Sequence, residues 1–494
     1  MSTAQHLVPP SISDAAAARS DAATQDLQAV FAAQQATALR WRMSTADQRR
    51  ERIKRLRTAM LAHRQDFYAA FASDYRKPPA EVEISELLPV MDEMQHALRC
   101  LKGWMKPRRV WPTATMLGTS GRIQYQPRGR VLIIAPWNYP LSLCFGPLVT
   151  ALAAGNSVIV KPSEMMPAVS ALMGRIIAEV FPRDEVALFE GGMDTAQDLL
   201  ALPFDHIFFT GSPAVGKIVM TAAAQHLSSV TLELGGTSPT IVDETADIAL
   251  AAETLMWGKF LNNGQTCVAP DYVYVHAAVK ERFVAACRDV LLARYGKEEQ
   301  RQRNPDLTRI VNARHTSRVA GLLADARARG ARVLAGGEVD EADCYIAPTL
   351  LDGIPDGAAM LSEEIFGPLL PIIAYTEIDA VIAAINAAPK PLALYIWSRD
   401  RQRIAALLAR TSSGGACVNH CVAHFAHGKL PFGGVNNSGI GNAHGEFGFK
   451  AFSHERAVLR GSPLMLVKLF FPPYSKRRLS LVRMVVDLMK LPLP

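Results

Sequence analysis

Residues 262–270 read Asn-Asn-Gly-Gln-Thr-Cys-Val-Ala-Pro, one cysteine among small and polar residues, with Gly264 three positions before it and Pro270 three after. That composition suits a shaped loop better than the interior of a helix or strand. A thiol carried on such a loop can meet a substrate, and its thiolate is a strong nucleophile. Taken alone, Cys267 reads first as a structural thiol, because free cysteine is among the most buried residue types. A second chemical residue is Glu233, set inside the apolar run Val230 to Leu234. A charge there is expensive unless it serves a purpose.

The elements that must hold these residues follow from the pattern of the chain. The segment 27–39, a second starting at Ser44 and a third over 81–106 keep helical spacing, the last with Pro89 as a kink. After a short strand and turn at 122–129, apolar runs recur at 131–134, 158–160, 186–189, 206–210 and 230–234, with a helix over 168–181. Strands alternating with helices predict parallel βαβ units in a doubly wound α/β sheet, with ligands at the carboxyl ends of the strands. Those ends carry Pro136-Trp137-Asn138-Tyr139-Pro140, Lys161-Pro162-Ser163-Glu164, Gly211-Ser212 through Gly216, and Glu233-Leu234-Gly235. The Gly211–Gly216 stretch resembles a phosphate loop but lacks the GxGxxG dinucleotide fingerprint. Beyond Gly236 the alternation resumes: helices at 248–260 and 279–295, strands at 272–275, 332–334, 370–375 and 392–397. This predicts a second α/β domain starting near residue 237.

At 494 residues, two large domains are expected. A content of 49% hydrophobic and 20% charged residues is that of an ordinary globular protein. The net charge of +7 draws on Arg49, Arg50, Arg52, Lys54, Arg55 and Arg57, read as a solvated helix face, and on Lys476, Arg477 and Arg478. No stacking aromatics are interleaved with them, so nucleic acid is not a partner. Seven scattered cysteines and the lack of a continuous apolar leader favour free thiols in a reducing cytoplasm. No stretch reaches the roughly 18 apolar residues that span a bilayer. Residues 1–26 read as a disordered leader. Residues 462–494 read as an amphipathic basic tail, either a peripheral membrane contact or an arm packed on a partner subunit.

Seven segments together resemble the aldehyde dehydrogenase superfamily: PWNYP at 136–140, KPSE at 161–164, FTGS at 209–212, LELGG at 232–236, NNGQTCVAPDYV at 262–273, EEIFGP at 363–368 and PFGGVNNSGIG at 431–441. They stand in family order over roughly residues 27–460, and resemble class 3 most, nearest to bacterial coniferyl-aldehyde dehydrogenases. The resemblance implies a Rossmann-like NAD-binding domain over 27–121 and 132–236, a catalytic domain over 237–445, and an oligomerisation arm from 122–131 and 446–461. It implies oxidation of an aldehyde, an aromatic one such as coniferaldehyde favoured, in a homodimer. The alternative is a long-chain fatty aldehyde dehydrogenase held at membranes by its tail.

The resemblance also assigns roles. Cys267 is the implied nucleophile, Asn138 the oxyanion donor and Glu233 the general base. Trp137, Lys161, Ser163, Glu164, Gly211, Ser212, Gly216, Gly235, Glu364 and Phe366 are implied cofactor contacts. Glu164 near the adenosine ribose favours NAD, with NADP as the alternative. Each has a plainer reading: Asn138 as a cap, Glu364 as a surface carboxylate, Phe366 as a core aromatic. Acyl transfer to coenzyme A and a silent structural relative are the competing functions; Glu233, a base poised for water, opposes the first, and the joint presence of Cys267, Asn138, Glu233 and Glu364 opposes the second.

Two places depart from the family. Thr237 follows LELGG where lysine is usual, and His420 stands where aspartate is expected. Cys417, His420, Cys421, His424 and His427 invite a metal, but their spacing matches no zinc signature, and no metal site is expected.

Overall fold

The computed structural model describes residues 12–489. Its first sheet has six strands in the order Gly439–Ile440, Ser229–Leu234, His206–Gly211, Arg130–Ile134, Ser157–Lys161 and Val186–Leu188. All pair in parallel except the two-residue edge Gly439–Ile440. The side-chain period of two splits the sheet cleanly. Val131, Ile133, Val158 and Val160 face one core, with helices Ala46–Ala62, Leu88–Trp104, Ser142–Ala154 and Pro167–Val180. Leu132, Ile134, Ile159, Phe209 and Leu232 face the other, under Leu27, Val30 and Phe31 of the first helix. Helices on both faces confirm the doubly wound class.

The second sheet has seven strands in the order Arg332–Ala335, Thr349–Asp352, Leu369–Tyr375, Tyr272–His276, Pro239–Val242, Ala393–Trp397 and Gly415–Val418. Only the first is antiparallel to its neighbour. The chain changes sheets between Leu234 and Pro239, which puts Glu233 at the rim of one sheet facing the other. A third, antiparallel sheet joins Arg108–Val110, Ser120–Pro127 and Ser453–Arg460 into an arm.

Several local readings change. The first helix begins at Ile12, inside the segment read as a disordered leader, and Asp26 pairs with Arg183 at 2.7 Å; residues 1–11 lie outside the described residues. Alanine-rich sequence at 15–23 supports helix once its continuation is anchored. The second helix is capped by Thr45 in a capping box with Gln48, one position beyond the Ser44 expectation. Arg49 and Arg52 are not on a solvated face but buried. Arg49 donates to Ala153 O and Ala154 O at 3.1 and 2.6 Å, satisfying the last carbonyls of the Ser142–Ala154 helix. Arg52 stacks 3.9 Å above Trp41 and lies 3.4 Å from Glu185. The expected kink at Pro89 is a π-turn at Glu83–Leu87 leading into Leu88–Trp104, which absorbs the missing N–H.

The tail carries a helix at Lys476–Leu488, capped by Ser475, in which no side chain is buried. Residues 490–494 lie outside the described residues. Among the described residues, no helix is long and apolar enough to cross a membrane.

Candidate active site

The cysteine loop leaves helix Ile248–Phe260 through a short turn, Leu261–Gly264, where Asn262 and Asn263 take φ of 52° and 54° and Gly264 takes 75°. Asparagine and glycine are the residues that tolerate this left-handed region. A Cβ on Gly264 would stand 2.3 Å from Gly367 O, so only glycine fits.

The loop is tied on every side. Glu81 accepts from Asn262 N and Thr308 Oγ1. Gln265 donates to Asn262 O and Arg309 O, both at 3.0 Å, and accepts from Val311 N at 3.0 Å. Tyr139 Oη lies 2.6 Å from Thr266 Oγ1, and Tyr395 Oη donates to Val268 O at 2.5 Å. A buried ion pair, Lys77 to Glu86 at 3.0 Å, sits beneath Tyr139, with Lys77 Nζ 4.3 Å from its ring. Cys267 is left half-buried on a rigid turn.

Asn138 is 3% exposed and donates through Nδ2 to Gln265 O at 2.9 Å. An amide has two N–H bonds. One locks Asn138 to the cysteine loop, and the residue also lines the cleft in front of Cys267. Its observed partner is that loop, not the segment following it, so the capping reading fails.

Glu233 ends its strand beside Thr210 and is 5% exposed. Neither of its carboxylate oxygens has a hydrogen-bond partner within the protein. Burial alone pushes its pKa well above the ordinary carboxylate value. Burial likewise pushes up the Cys267 thiol, reinforced by the charges of Glu364 and Glu233. Glu364 is raised to about 8 by burial, then by Asp271, while the Gly236 N–H, Arg318 and Lys259 oppose. Burial thus favours the neutral form of each of the three acids gathered here, Cys267, Glu233 and Glu364.

A cleft of about 760 Å³ brings together Trp137, Asn138, Gly211, Ser212, Glu233, Gly235, Cys267, Glu364 and Phe366. Lys161, Ser163, Glu164 and Gly216 do not line it. Lys161 closes the neighbouring strand and donates to Pro162 O and Glu164 Oε2 at 3.0 and 3.4 Å. Ser163 accepts from Met165 N at 3.3 Å. Gly216 serves packing, since a Cβ there would meet Leu234 at 2.7 Å.

A dinucleotide fits the cleft. Ser212 caps helix Pro213–His226, whose N-terminus offers backbone N–H groups to a phosphate. Glu364 presents a buried Oε1 with no protein partner, and only a glycine at 235 allows its close approach, since a Cβ there would stand 2.1 Å from it. Trp137 packs edge-on to Phe366 at 5.3 Å and beside His315 at 5.0 Å. These contacts contradict the surface and core readings of Glu364 and Phe366. His315 and Arg318, on helix Ala313–Ala328, were not legible in the sequence, and neither carries a motif that marks it.

On another side of the thiol lies a largely apolar space of about 630 Å³, lined by Tyr139, Leu143, Trp257, Val268, Val422 and Phe425 among others. In the Cys/His-rich segment, Cys417 Sγ lies 3.3 Å from His424 Nδ1, but Cys421 donates to Thr254 O and His420 turns to the Cys421 backbone. Among the described residues, no three metal-ligating side chains converge.

The family model for the aldehyde dehydrogenase family matches residues 2–458. The chain belongs to the aldehyde dehydrogenase family. A Staphylococcus aureus relative named 4,4'-diaponeurosporen-aldehyde dehydrogenase is 43% identical over 86% of this chain and 92% of its own. A Pseudomonas aeruginosa relative named probable coniferyl aldehyde dehydrogenase is 41% identical, covering 92% of this chain and 95% of its own. Among solved structures, Staphylococcus aureus AldH in a substrate-bound state superposes with a TM-score of 0.89 at 40% identity, over 93% of this chain and 99% of that one. A Mycobacterium tuberculosis aldehyde dehydrogenase complexed with NAD+ gives 0.80 at 28%, over 89% and 91%. This aldehyde dehydrogenase therefore oxidises aldehydes, and its two-sheet frame is the family's.

Proposed function

We propose that this aldehyde dehydrogenase oxidises an apolar, preferentially aromatic aldehyde such as coniferaldehyde to its acid with NAD, through a covalent intermediate on Cys267. One observation carries the reading: an apolar space and a second cleft, which carries Asn138, Ser212, Glu233 and Glu364, meet at a single thiol. Cys267 adds to the carbonyl carbon, and the oxyanion of the thiohemiacetal is met by the Asn138 amide and the Cys267 backbone N–H. When bound, NAD would supply the hydride acceptor for the oxidation. Glu364, Phe366, Gly211 and Ser212 would hold it. Glu233 draws a proton from water, whose oxygen attacks the thioester and releases the acid.

The aromatic preference rests on Trp257, Tyr139 and Phe425 in the apolar space and on the name of the Pseudomonas relative. A second reading, long-chain aldehydes at a membrane surface, is favoured by the tail helix. Leu479, Met484, Val486 and Leu488 are exposed there beside Lys476, Arg477 and Arg478. For assembly, the arm edge with exposed Val110, Trp111 and Leu459 is the surface we assign to a homodimer.

The test is kcat/KM for coniferaldehyde, benzaldehyde, propanal and hexadecanal with NAD and with NADP. Aromatic aldehydes should exceed propanal by about tenfold or more, on the scale of a few buried methylenes. Hexadecanal outrunning both aromatics would transfer the argument to the second reading. Cys267→Ser should abolish NADH formation, and Glu233→Gln should let the acyl-enzyme accumulate.

A further inference from the structure

Glu233 and Thr210 border the cofactor cleft and also a third, tighter space. That space reaches from Cys267 and Glu233 to Glu93 and His444. Its walls are otherwise mostly apolar, and helix Ser142–Ala154 along one side carries no charged residue. Glu93 is 6% exposed, and both its oxygens accept from Gly445 N, at 2.9 and 3.1 Å. His444 Nδ1 stands 3.9 Å from Glu93 Oε2, a distance one water bridges. The His444 side chain is 20% exposed, so it reaches solvent while Phe425 and Phe432 enclose its ring at 4.9 and 5.3 Å. His444 also holds φ of 70°, a strained conformation for a residue with a Cβ.

Resting on the assignment of Glu233 as base, we infer that this space is the proton exit of thioester hydrolysis, with Glu93 and His444 passing to solvent the proton that Glu233 takes from water. In that step the water oxygen bonds to the acyl carbon and the C–S bond breaks. One water proton restores the Cys267 thiol, and the other leaves as the acid departs as its carboxylate. Glu233, buried and without a hydrogen-bond partner in the protein, must pass that proton on before the next turnover.

The groups facing Glu93 suit the task. Asp92 and His96 lie on its own helix, His444 and the Gly445 N–H face it from the loop, and Glu233 and Cys267 stand across the space. Lys429 adds its charge near His96, and Glu446 and Lys450 of helix Gly445–Ala451 pair with each other at 2.8 Å. Burial, then Asp92 against the Gly445 N–H, holds Glu93 at about 7, where it both accepts and yields a proton. Burial, with His424 nearby, lowers His444 to about 4, so it conducts without retaining charge.

The test uses the full chain without cofactor and p-nitrophenyl acetate, which acylates Cys267 in a nitrophenolate burst and then turns over at the rate of hydrolysis. Glu93→Gln should keep the burst and lower the steady rate about tenfold or more, abolishing its inflection near pH 7; Glu93→Asp should restore part of both. Gly146 lines the space, and a Cβ there meets nothing within 4 Å, so Gly146→Leu enters the space without disturbing a polar group and should give the same split. Wild-type steady rates and pH profiles in both variants overturn the exit, as does a burst lost in step with the steady rate. If Cys267→Ser keeps its burst or Glu233→Gln its steady rate, the underlying assignment fails instead.

Discussion

Asn138→Ala isolates the oxyanion role proposed for that residue, because its anchoring role is shared with Asn262. Gln265 O accepts from Asn138 Nδ2 at 2.9 Å and also from Asn262 Nδ2 at 3.2 Å. Removing Asn138 therefore leaves the loop carbonyl satisfied, and the lost hydrogen bond should lower stability by only about 1 kcal/mol. In the proposed mechanism the second N–H meets the reacting oxygen, and such a donor is worth about 3 kcal/mol in the transition state. At 1.36 kcal/mol per factor of ten, kcat/KM should fall roughly 150-fold. Asn138→Asp should be worse, since it replaces a donor by an acceptor beside Gln265 O. The assay is the pre-steady-state NADH burst, read beside the alkylation rate of Cys267 by iodoacetamide. A fall below about fivefold, or a fall matched by equal loss of alkylation, would refute a donor acting on the substrate.

Gly264→Ala forces a Cβ onto φ of 75° and to 2.3 Å from Gly367 O, so it should cost about 1–3 kcal/mol or more, read as a lower thermal midpoint and altered Cys267 alkylation. Lys77→Met strands Glu86 in a fully buried site and should destabilise by about 3–5 kcal/mol; adding Glu86→Leu should recover part of this in chemical denaturation. Glu364 is protonated below about 8 and charged above it, and the charged form accepts better from a ribose hydroxyl. The Kd for NAD in the free enzyme should therefore tighten as pH rises through 8, and Glu364→Gln should flatten that profile in calorimetric titration.

What the sequence determined by itself was the frame and the chemical kit. Short continuous apolar runs at 131–134, 158–160 and 206–210 became the parallel strands of the first sheet, because strands covered by helices on both faces bury every side chain. Glu233 stood out by itself, because a carboxylate is costly inside an apolar run, whereas the roles given to Cys267 and Asn138 came from the family resemblance alone. Only tertiary structure decided which ligand-binding candidates meet. Glu364, Phe366, His315 and Arg318 join the cleft from the second domain, whereas Lys161 and Glu164 stand apart on a neighbouring strand end. Arg49 and Arg52 left the surface because a buried helix terminus and an aromatic ring received them, partners distant in the chain. The interior space behind Glu233 depends on Gly146, Glu93 and His444 arriving from three segments, and no local pattern encodes such a volume. Its physical basis is long-range packing: a cavity is set by what neighbouring elements fail to fill.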